Sequence, residues 1–497
     1  MLDNMLLGFE SIMHWMPLLA IVVGSILGYL IGAMPGLGPT LGVALLIPFT
    51  FELDVVTSIV GLVSLYMAAE YGASITAILI NTPGTAGAVA TAWDGYPMAC
   101  RGEAGKALTV SIVSSGFGAL TSGILLVFTA TYLAEFALYF GPAEYFALGV
   151  FGLSLVSSLG GKSLTAGAIS LFVGLLLTTI GLDPVNGMPR FSFTPDLFSG
   201  IPLIPALLGL YAISEVFMMI ESKEPQRKSI PIKGILAAPP RLFKGLIVTI
   251  MRSSLIGYVI GVIPGAGTSI ASLVSYNEAK RASKTPEKFG TGAIEGLSAS
   301  ETANNAAVSG ALVPLLALGI PGSATTAVMI GALMIHGVQP GPMLFLDNPE
   351  IPYGVFAALL LGVFVMVAMG LLGVRFWIKV IDLPRPVLAA SITGICFIGA
   401  YSDTNSMFPI FVMLLLGIIG YIFRKLSIPL APIVLALVLG PLVESSFRKA
   451  LTISDGNWMV FLQTTIGSTL LFLSALSFVL PLLRSARKAK KDNKYST

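Results

Sequence analysis

Charge is what this sequence of 497 residues has least of: 11% is Asp, Glu, Lys or Arg, while 55% is hydrophobic. Soluble domains carry roughly a quarter charged residues, so a water-facing surface for so long a chain is excluded. Cysteine is nearly absent, and Cys100 and Cys396 lie too far apart for a metal-ligand spacing; both read as packing residues. Two histidines, His14 and His336, leave no His-rich metal site, and no H-E-x-x-H occurs. The lack of a G-x-x-x-x-G-K-[ST] loop argues against ATP hydrolysis. The lack of a basic, aromatic-interleaved patch argues against nucleic acid. The opening MLDNMLLGFESIMHWM is acidic, unlike a cleaved signal peptide. No Lys or Arg precedes Arg101.

What the chain has instead is apolar runs of about 18 residues or more, each able to cross a bilayer. The expected class is an all-α polytopic membrane protein. Positive charges cluster at Arg101 and Lys106, at Lys162, through 223–244 and 280–288, at Arg375–Arg385, at Arg424–Lys425 and from Arg484 onward. Under the positive-inside rule these face the cytoplasm. The threading that results is 55–99 in, 107–135 out, 144–158 in, 163–182 out and 199–221 in. It continues with 301–345 out, 354–374 in, 387–402 out, 408–423 in, 428–444 out and 458–483 in. That makes about eleven spans, within a range of ten to thirteen. Arg190 and the pair Arg448–Lys449 are its exceptions, placed outside.

The 54 glycines and 31 prolines sit inside apolar segments and need an explanation. Part of it is a duplication. GYLIGAMPGLG at 28–38 and GYVIGVIPGAG at 257–267 agree at seven of eleven positions, and NTPGTA at 81–86 is echoed by GIPGSA at 319–324. The first copy lies in the stretch without positives and the second among Lys244, Arg252, Lys280 and Arg281, so the copies read as inverted. Inverted repeats with interrupted helices are the architecture of secondary transporters, with substrate bound where the repeats meet. The units expected are 1–222 (hairpin 18–50, broken helix 55–99), a linker at 223–250, and 251–445 (hairpin 252–279, broken helix 301–345). A C-terminal span and basic tail fill 446–497. The hairpins read as re-entrant because Thr40–Thr50 and Ser253–Ile263 would each make a helix of only about 16 Å, and Arg252 reads as a cytoplasmic anchor. Gly24, Gly28 and Gly257 fit small-xxx-small helix packing. Pro and Gly at the tips break helices that only needed to pack, which favours a ligand site there.

A helix restarting after Pro-Gly offers free N–H groups and a positive dipole end. Four such starts are expected, after Gly38, Gly84, Gly267 and Gly322. The candidate anion-binding set is Gly36, Leu37, Gly38, Pro39 and Thr40 at the first tip, with Thr82, Pro83, Gly84 and Thr85 at the first break. The second half supplies Gly265, Ala266, Gly267, Thr268 and Ser269 at its tip, and Pro321, Gly322, Ser323, Thr325 and Thr326 at its break. Such a set suits a carboxylate without a buried Arg. Ser, Thr and Asn are also common N-caps, and singly the cap role is the stronger reading for most of them. Cation candidates are Asn81, the intramembrane carboxylate Glu70, and Asn304 with Asn305, for which interhelical hydrogen bonding is an equal alternative. Glu301 falls in Ser298-Ala299-Ser300-Glu301, a capping-box pattern that favours a cap over ion coordination.

MPGLGPTLGVALLIPFTF, EYGASITAILINTPG, DGYPMA, FGPAEYFAL, IPGAGTSIASLVSYNEAKRASK and LGIPGSATTAVMIGAL resemble the large membrane subunit of the bacterial tripartite tricarboxylate transporters. The resemblance runs through nearly the whole chain. It implies a cation-coupled importer, with Na⁺ or H⁺ as coupling ion and no other cofactor, in the bacterial inner membrane. The N-terminus would be periplasmic and the C-terminus cytoplasmic. It further implies a small membrane subunit and a periplasmic solute-binding protein that delivers a carboxylate, with a homodimer left open. An intramembrane enzyme and a channel are the rival classes. No G-x-G-D or G-x-S-G motif supports the first, and a channel has no need of a matched pair of tips.

Overall fold

The computed structural model describes residues 1–477 apart from 35, 160–162, 184–185, 223–238 and 382. Residues 223–238 of the expected linker and the tail from Arg484 lie outside the described residues, as do Lys162 and the end of the 458–483 span; the rest of the expected linker, from Pro240, is helix. The described chain is helical except for loops and one two-residue strand pair, Gly181–Leu182 with Pro189–Arg190. Among the described residues nine helices are long and apolar enough to cross a membrane, which makes this an all-helical, multi-pass membrane protein.

Two helices form the centre. Val55–Ile80 is mostly apolar with no solvent-facing polar side, and is buried from Thr57 to Ile80. Its start is capped by Asp54, which accepts from the Thr57 N–H at 2.9 Å. The Ile294–Leu318 helix has no cap of its own; Asp94 accepts the N–H groups of Gly290, Gly292 and Ala293 at 2.7–2.8 Å just ahead of it.

Each central helix carries a parallel companion seated through glycines. A Cβ on Gly32 of the Trp15–Gly32 helix would lie 2.2 Å from the Ala69 carbonyl oxygen; one on Gly261 of the Pro240–Val262 helix would lie 2.5 Å from that of Ala307. Gly24 meets Gly61 and Gly257 meets Ala303 in the same way, so the companions advance in step with the central helices. The packing role read for Gly24, Gly28 and Gly257 is what the structure shows. Gly261→Val is expected to cost roughly 3 kcal/mol or more, because the obstacle is backbone. Thermal unfolding in detergent checks this against Gly394→Val, whose Cβ position is open.

The two central helices run antiparallel. Asn304 donates to the Glu70 carbonyl at 3.4 Å and Ser74 to the Glu301 carboxylate at 2.7 Å, so one sequence rises as the other falls.

Three expectations are corrected. First, the second broken segment begins at Ile294 rather than 301; in both segments the break comes only after 26 and 25 helical residues, about 39 and 37 Å and more than the hydrocarbon thickness. Second, the second hairpin begins at Pro240 rather than 252, because Pro240 at the first helical position starts the helix there. Arg252 is therefore inside that helix, paired across the hairpin with Glu278 at 3.6 Å. Third, the first arm of the second hairpin is not short: Arg241–Val262 is one of the nine long apolar helices, like Trp15–Gly32 in the first hairpin. An N-terminal helix, Leu2–Ile12, was not expected at all; Gly8 seats it on the backbone of Tyr353.

Two of the exceptions to the charge rule, Arg190 and Arg448, are neutralised rather than bare. Arg190 meets Glu444 at 2.7 Å and Asp183 at 3.6 Å, and Arg448 meets Asp183 at 2.9 Å and Glu444 at 2.8 Å.

Candidate functional site

The break after each central helix is a reversal. Asn81 caps Val55–Ile80 in the left-handed conformation, φ 53°. The chain then doubles back along its own helix, with the Gly84 N–H on the Ala73 carbonyl at 3.3 Å and the Thr85 hydroxyl on the Glu70 carboxylate at 3.0 Å. At Ala86 it turns outward again, and Ala88 and Ala92 pack with Ala73 and Ala77. The result is a helix start deep in the protein, level with Glu70. A Cβ on Gly84 would lie 2.3 Å from the Gly32 carbonyl oxygen, so glycine is required for this return.

The second half repeats the construction. Gly319, φ 70°, caps Ile294–Leu318; the Ile320 N–H bonds back to the Pro314 carbonyl, and Gly322 lies against Ala311. The helix Ala324–Ile335 then starts from Ser323, whose hydroxyl accepts from the Thr326 N–H while Thr326 accepts from the Ser323 N–H. For Ser323 and Thr326 the capping role is observed.

The halves are joined crosswise. Thr40, at the start of the Pro39–Leu46 helix, meets Thr325 with 2.9 Å between hydroxyls, and the Tyr66 hydroxyl lies 3.2 Å from that of Ser323. In the other direction Thr268, at the start of Gly267–Ala282, donates to the Glu70 carboxylate at 3.2 Å. A Cβ on Gly87 would lie 2.3 Å from the Asn304 Oδ1 and 2.8 Å from the Thr268 hydroxyl. One direct backbone bond, from the Gly265 N–H to the Gly322 carbonyl at 3.0 Å, ties the second tip to its own break.

The remaining candidates divide. Gly36, φ 91°, stands at the first tip with the Glu215 carboxylate where a Cβ would come within 2.8 Å. Leu37 is buried, Gly38 is the extended N-cap and Pro39 the first helical residue, its missing N–H one that would be unpaired anyway. Pro35 lies outside the described residues. At the second tip Ala266 and Thr268 are buried, and Gly265 and Gly267 take φ 79° and 63°; Ser269 is half-buried. Pro83 and Pro321 lie in the two reversals, and Thr82 only closes a local turn on the Ile80 carbonyl. Asn304 reaches the Glu70 carbonyl, leaving its own Oδ1 without a protein partner; Asn305 is fully buried with both amide atoms unpartnered. Asn81 is exposed, three helical turns from Glu70. Its backbone role suffices, so Asn81→Gly is expected to keep uptake and Tm within about twofold and a few degrees of the parent, since glycine takes the left-handed cap freely. A large loss of uptake with unchanged Tm would instead make the Asn81 amide a ligand.

Glu301 is corrected outright. Its helix begins at Ile294, so Ser298 is no N-cap and there is no capping box. Glu301 is fully buried in the helix interior and accepts from the hydroxyls of Ser74 at 2.7 Å, Ser111 at 2.7 Å and Ser115 at 3.0 Å, and from Thr91. These serines and Thr91 escaped the sequence reading, although Ser111, Ser114 and Ser115 share one helical face of an apolar segment. Glu215 and Arg424 escaped it too. They pair at 2.5 Å behind the first tip, and Arg424 had passed as a cytoplasmic positive charge.

These elements define a multi-pass, all-helical membrane protein with two helix reversals and two hairpin tips meeting in its interior. The family model of the Tripartite tricarboxylate transporter TctA family matches residues 18–435, and the chain belongs to that family; it is a transporter component. It is 36% identical over 493 residues, 99% of this chain and 98% of the other, to a protein of Agrobacterium vitis described as "Uncharacterized 52.8 kDa protein in TAR-I ttuC' 3'region". It is 38% identical over 236 residues, 48% of this chain and 97% of the other, to "Uncharacterized protein in TAR-II ttuC' 3'region" of Agrobacterium vitis. No solved structure matches it significantly.

Proposed function

We propose that the chain is the permease subunit of a binding-protein-dependent secondary transporter that imports a small di- or tricarboxylate by cation symport. The observation that carries this reading is the crosswise pairing of tips and reversals, the second tip with the first reversal at Glu70 and the first tip with the second reversal beside Tyr66. Helix starts at Pro39, Ala86, Gly267 and Ala324 offer N–H groups to an anion, with Thr40, Thr325 and Ser323 beside them. Glu70, with Thr85, Thr268 and Asn304, supplies hard oxygens for the coupling cation, Na⁺ or H⁺.

The equivalent packing at Gly32 and Gly261, together with antiparallel central helices, supports two repeats of opposite orientation. Loop contacts agree with it: His336, after the second re-entrant helix, meets Thr50 at the open end of the first hairpin, and Arg101, after the first re-entrant helix, meets Thr291 beyond the second. Alternating access then follows if one hairpin-and-reversal assembly slides past the fixed spans. The setting is the bacterial inner membrane, N-terminus periplasmic, with a small membrane subunit and a periplasmic solute-binding protein as partners.

Reconstitution of the chain with these partners, against a panel of carboxylates with and without a Na⁺ gradient, tests the reading. Saturable, gradient-dependent uptake of one carboxylate is expected. Uptake that does not saturate and ignores the Na⁺ gradient would instead make this a channel.

A further inference from the structure

A second buried carboxylate lies one helical turn from the Glu70 region, and the site described above does not use it. Glu301 sits where four helices meet: its own, Ile294–Leu318, and those bearing Ser74, Thr91, and Ser111 with Ser115. Four hydroxyls donate to its two oxygens, Ser74 and Thr91 to Oε1 and Ser111 and Ser115 to Oε2. A carboxylate has about four acceptor positions, and it offers all four only when ionised. No ion pair among the described residues includes Glu301, and its exposure is 0%. When ionised, a carboxylate so buried and so unpaired calls for a positive charge.

The kind of donor narrows what that charge is. A purely structural clamp is served equally by amide N–H groups, Lys or Arg, whose donor atoms have no lone pair to offer a cation. Every partner here is a hydroxyl, which keeps lone pairs free while it donates and can turn them on a cation. One carboxylate and four hydroxyls form an all-oxygen, singly charged set of the kind that hard cations prefer. We propose that Glu301, Ser74, Thr91, Ser111 and Ser115 form a Na⁺ site distinct from the Glu70 region. It deepens the symport reading above and rests on it for its role in transport, though not for binding itself. Because Ser74 and Glu70 share one face of the Val55–Ile80 helix, and Glu301 and Asn304 one face of its partner, an ion at Glu301 fixes the contact that places Glu70.

The test is equilibrium binding of radiosodium to the purified full-length chain in detergent, with choline as the inert salt. Glu301→Gln is expected to bind one Na⁺ fewer per chain than the parent, and Ser111→Ala/Ser115→Ala to keep the site with affinity weakened about tenfold or more. Unchanged stoichiometry in E301Q, unchanged affinity in the double variant, or no Na⁺ binding by the parent would each overturn the site and leave the cluster a clamp between helices. The double variant, which keeps the carboxylate, decides the matter where E301Q does not fold. Carboxylate uptake is measured separately. Na⁺ binding lost in E301Q with no carboxylate taken up by the parent sinks only the importer reading; coupled uptake with unchanged Na⁺ binding sinks only the Glu301 site.

Discussion

Glu70→Gln is expected to lower carboxylate uptake on the order of a hundredfold while leaving the protein folded. The Glu70 carboxylate accepts from Thr85 on one half's reversal and from Thr268 on the other half's tip. It is therefore one group that both halves grip. A glutamine of the same shape still fills the space, and either hydroxyl can rotate to accept from its amide, so packing and most hydrogen bonding survive. What is lost is the negative charge. Hydrogen bonds to a charged group contribute about 1.5–3 kcal/mol, which is roughly ten- to 150-fold in an equilibrium. Uptake in proteoliposomes and thermal unfolding of the same preparation separate the two effects. Uptake near the parent's level would remove Glu70 from the transport site.

Arg424→Met is expected to destabilise the protein by about 3–5 kcal/mol. Glu215 is 8% exposed, and the Arg424 guanidinium sits on it at 2.5 Å while also reaching the Tyr211 carbonyl at 3.4 Å. Removing the cation leaves a buried carboxylate with no counter-charge, directly behind Gly36 of the first tip. Removing both charges is different, since buried pairs replaced by neutral groups of similar size often cost little. Glu215→Gln/Arg424→Met should therefore recover most of the loss, as read by denaturant or thermal unfolding. Equal instability of the single and double variants would mean that the pair contributes through packing and not through charge.

Much of this molecule is legible in its residues. The paired motifs at Pro35–Thr40 and Pro264–Ser269 mark the tips, since Pro and Gly inside apolar runs end helices wherever they fall. Glycines at four-residue intervals mark the close approaches, and in the structure Gly24, Gly28 and Gly32 face the Val55–Ile80 backbone. The paths after Asn81 and Gly319 are less legible. A span that breaks midway and a span that ends and folds back have the same composition. The left-handed cap tells them apart, together with the contact of Gly84 on Ala73 and its counterpart of Gly322 on Ala311.

Charged residues were the hardest to read. Glu301 follows two serines in a pattern that signals a helix start, and no local rule reveals that the helix began seven residues earlier, with Asp94 supplying its cap from a distant segment. Arg424 next to Lys425 looks like a cytoplasmic pair, yet one holds a buried glutamate and the other pairs with Glu221 at the surface.

The membrane class and the places where helices stop are written in the residues, because hydropathy and backbone restriction are local properties. The scarcity of charge already implied that each carboxylate inside the bilayer has a reason to be there. Which reason depends on the packing of distant helices. The tertiary structure set Glu70 between the halves, Glu301 among four hydroxyls and Glu215 against Arg424, because a carboxylate's partners come from helices far apart in the chain, and packing alone selects them.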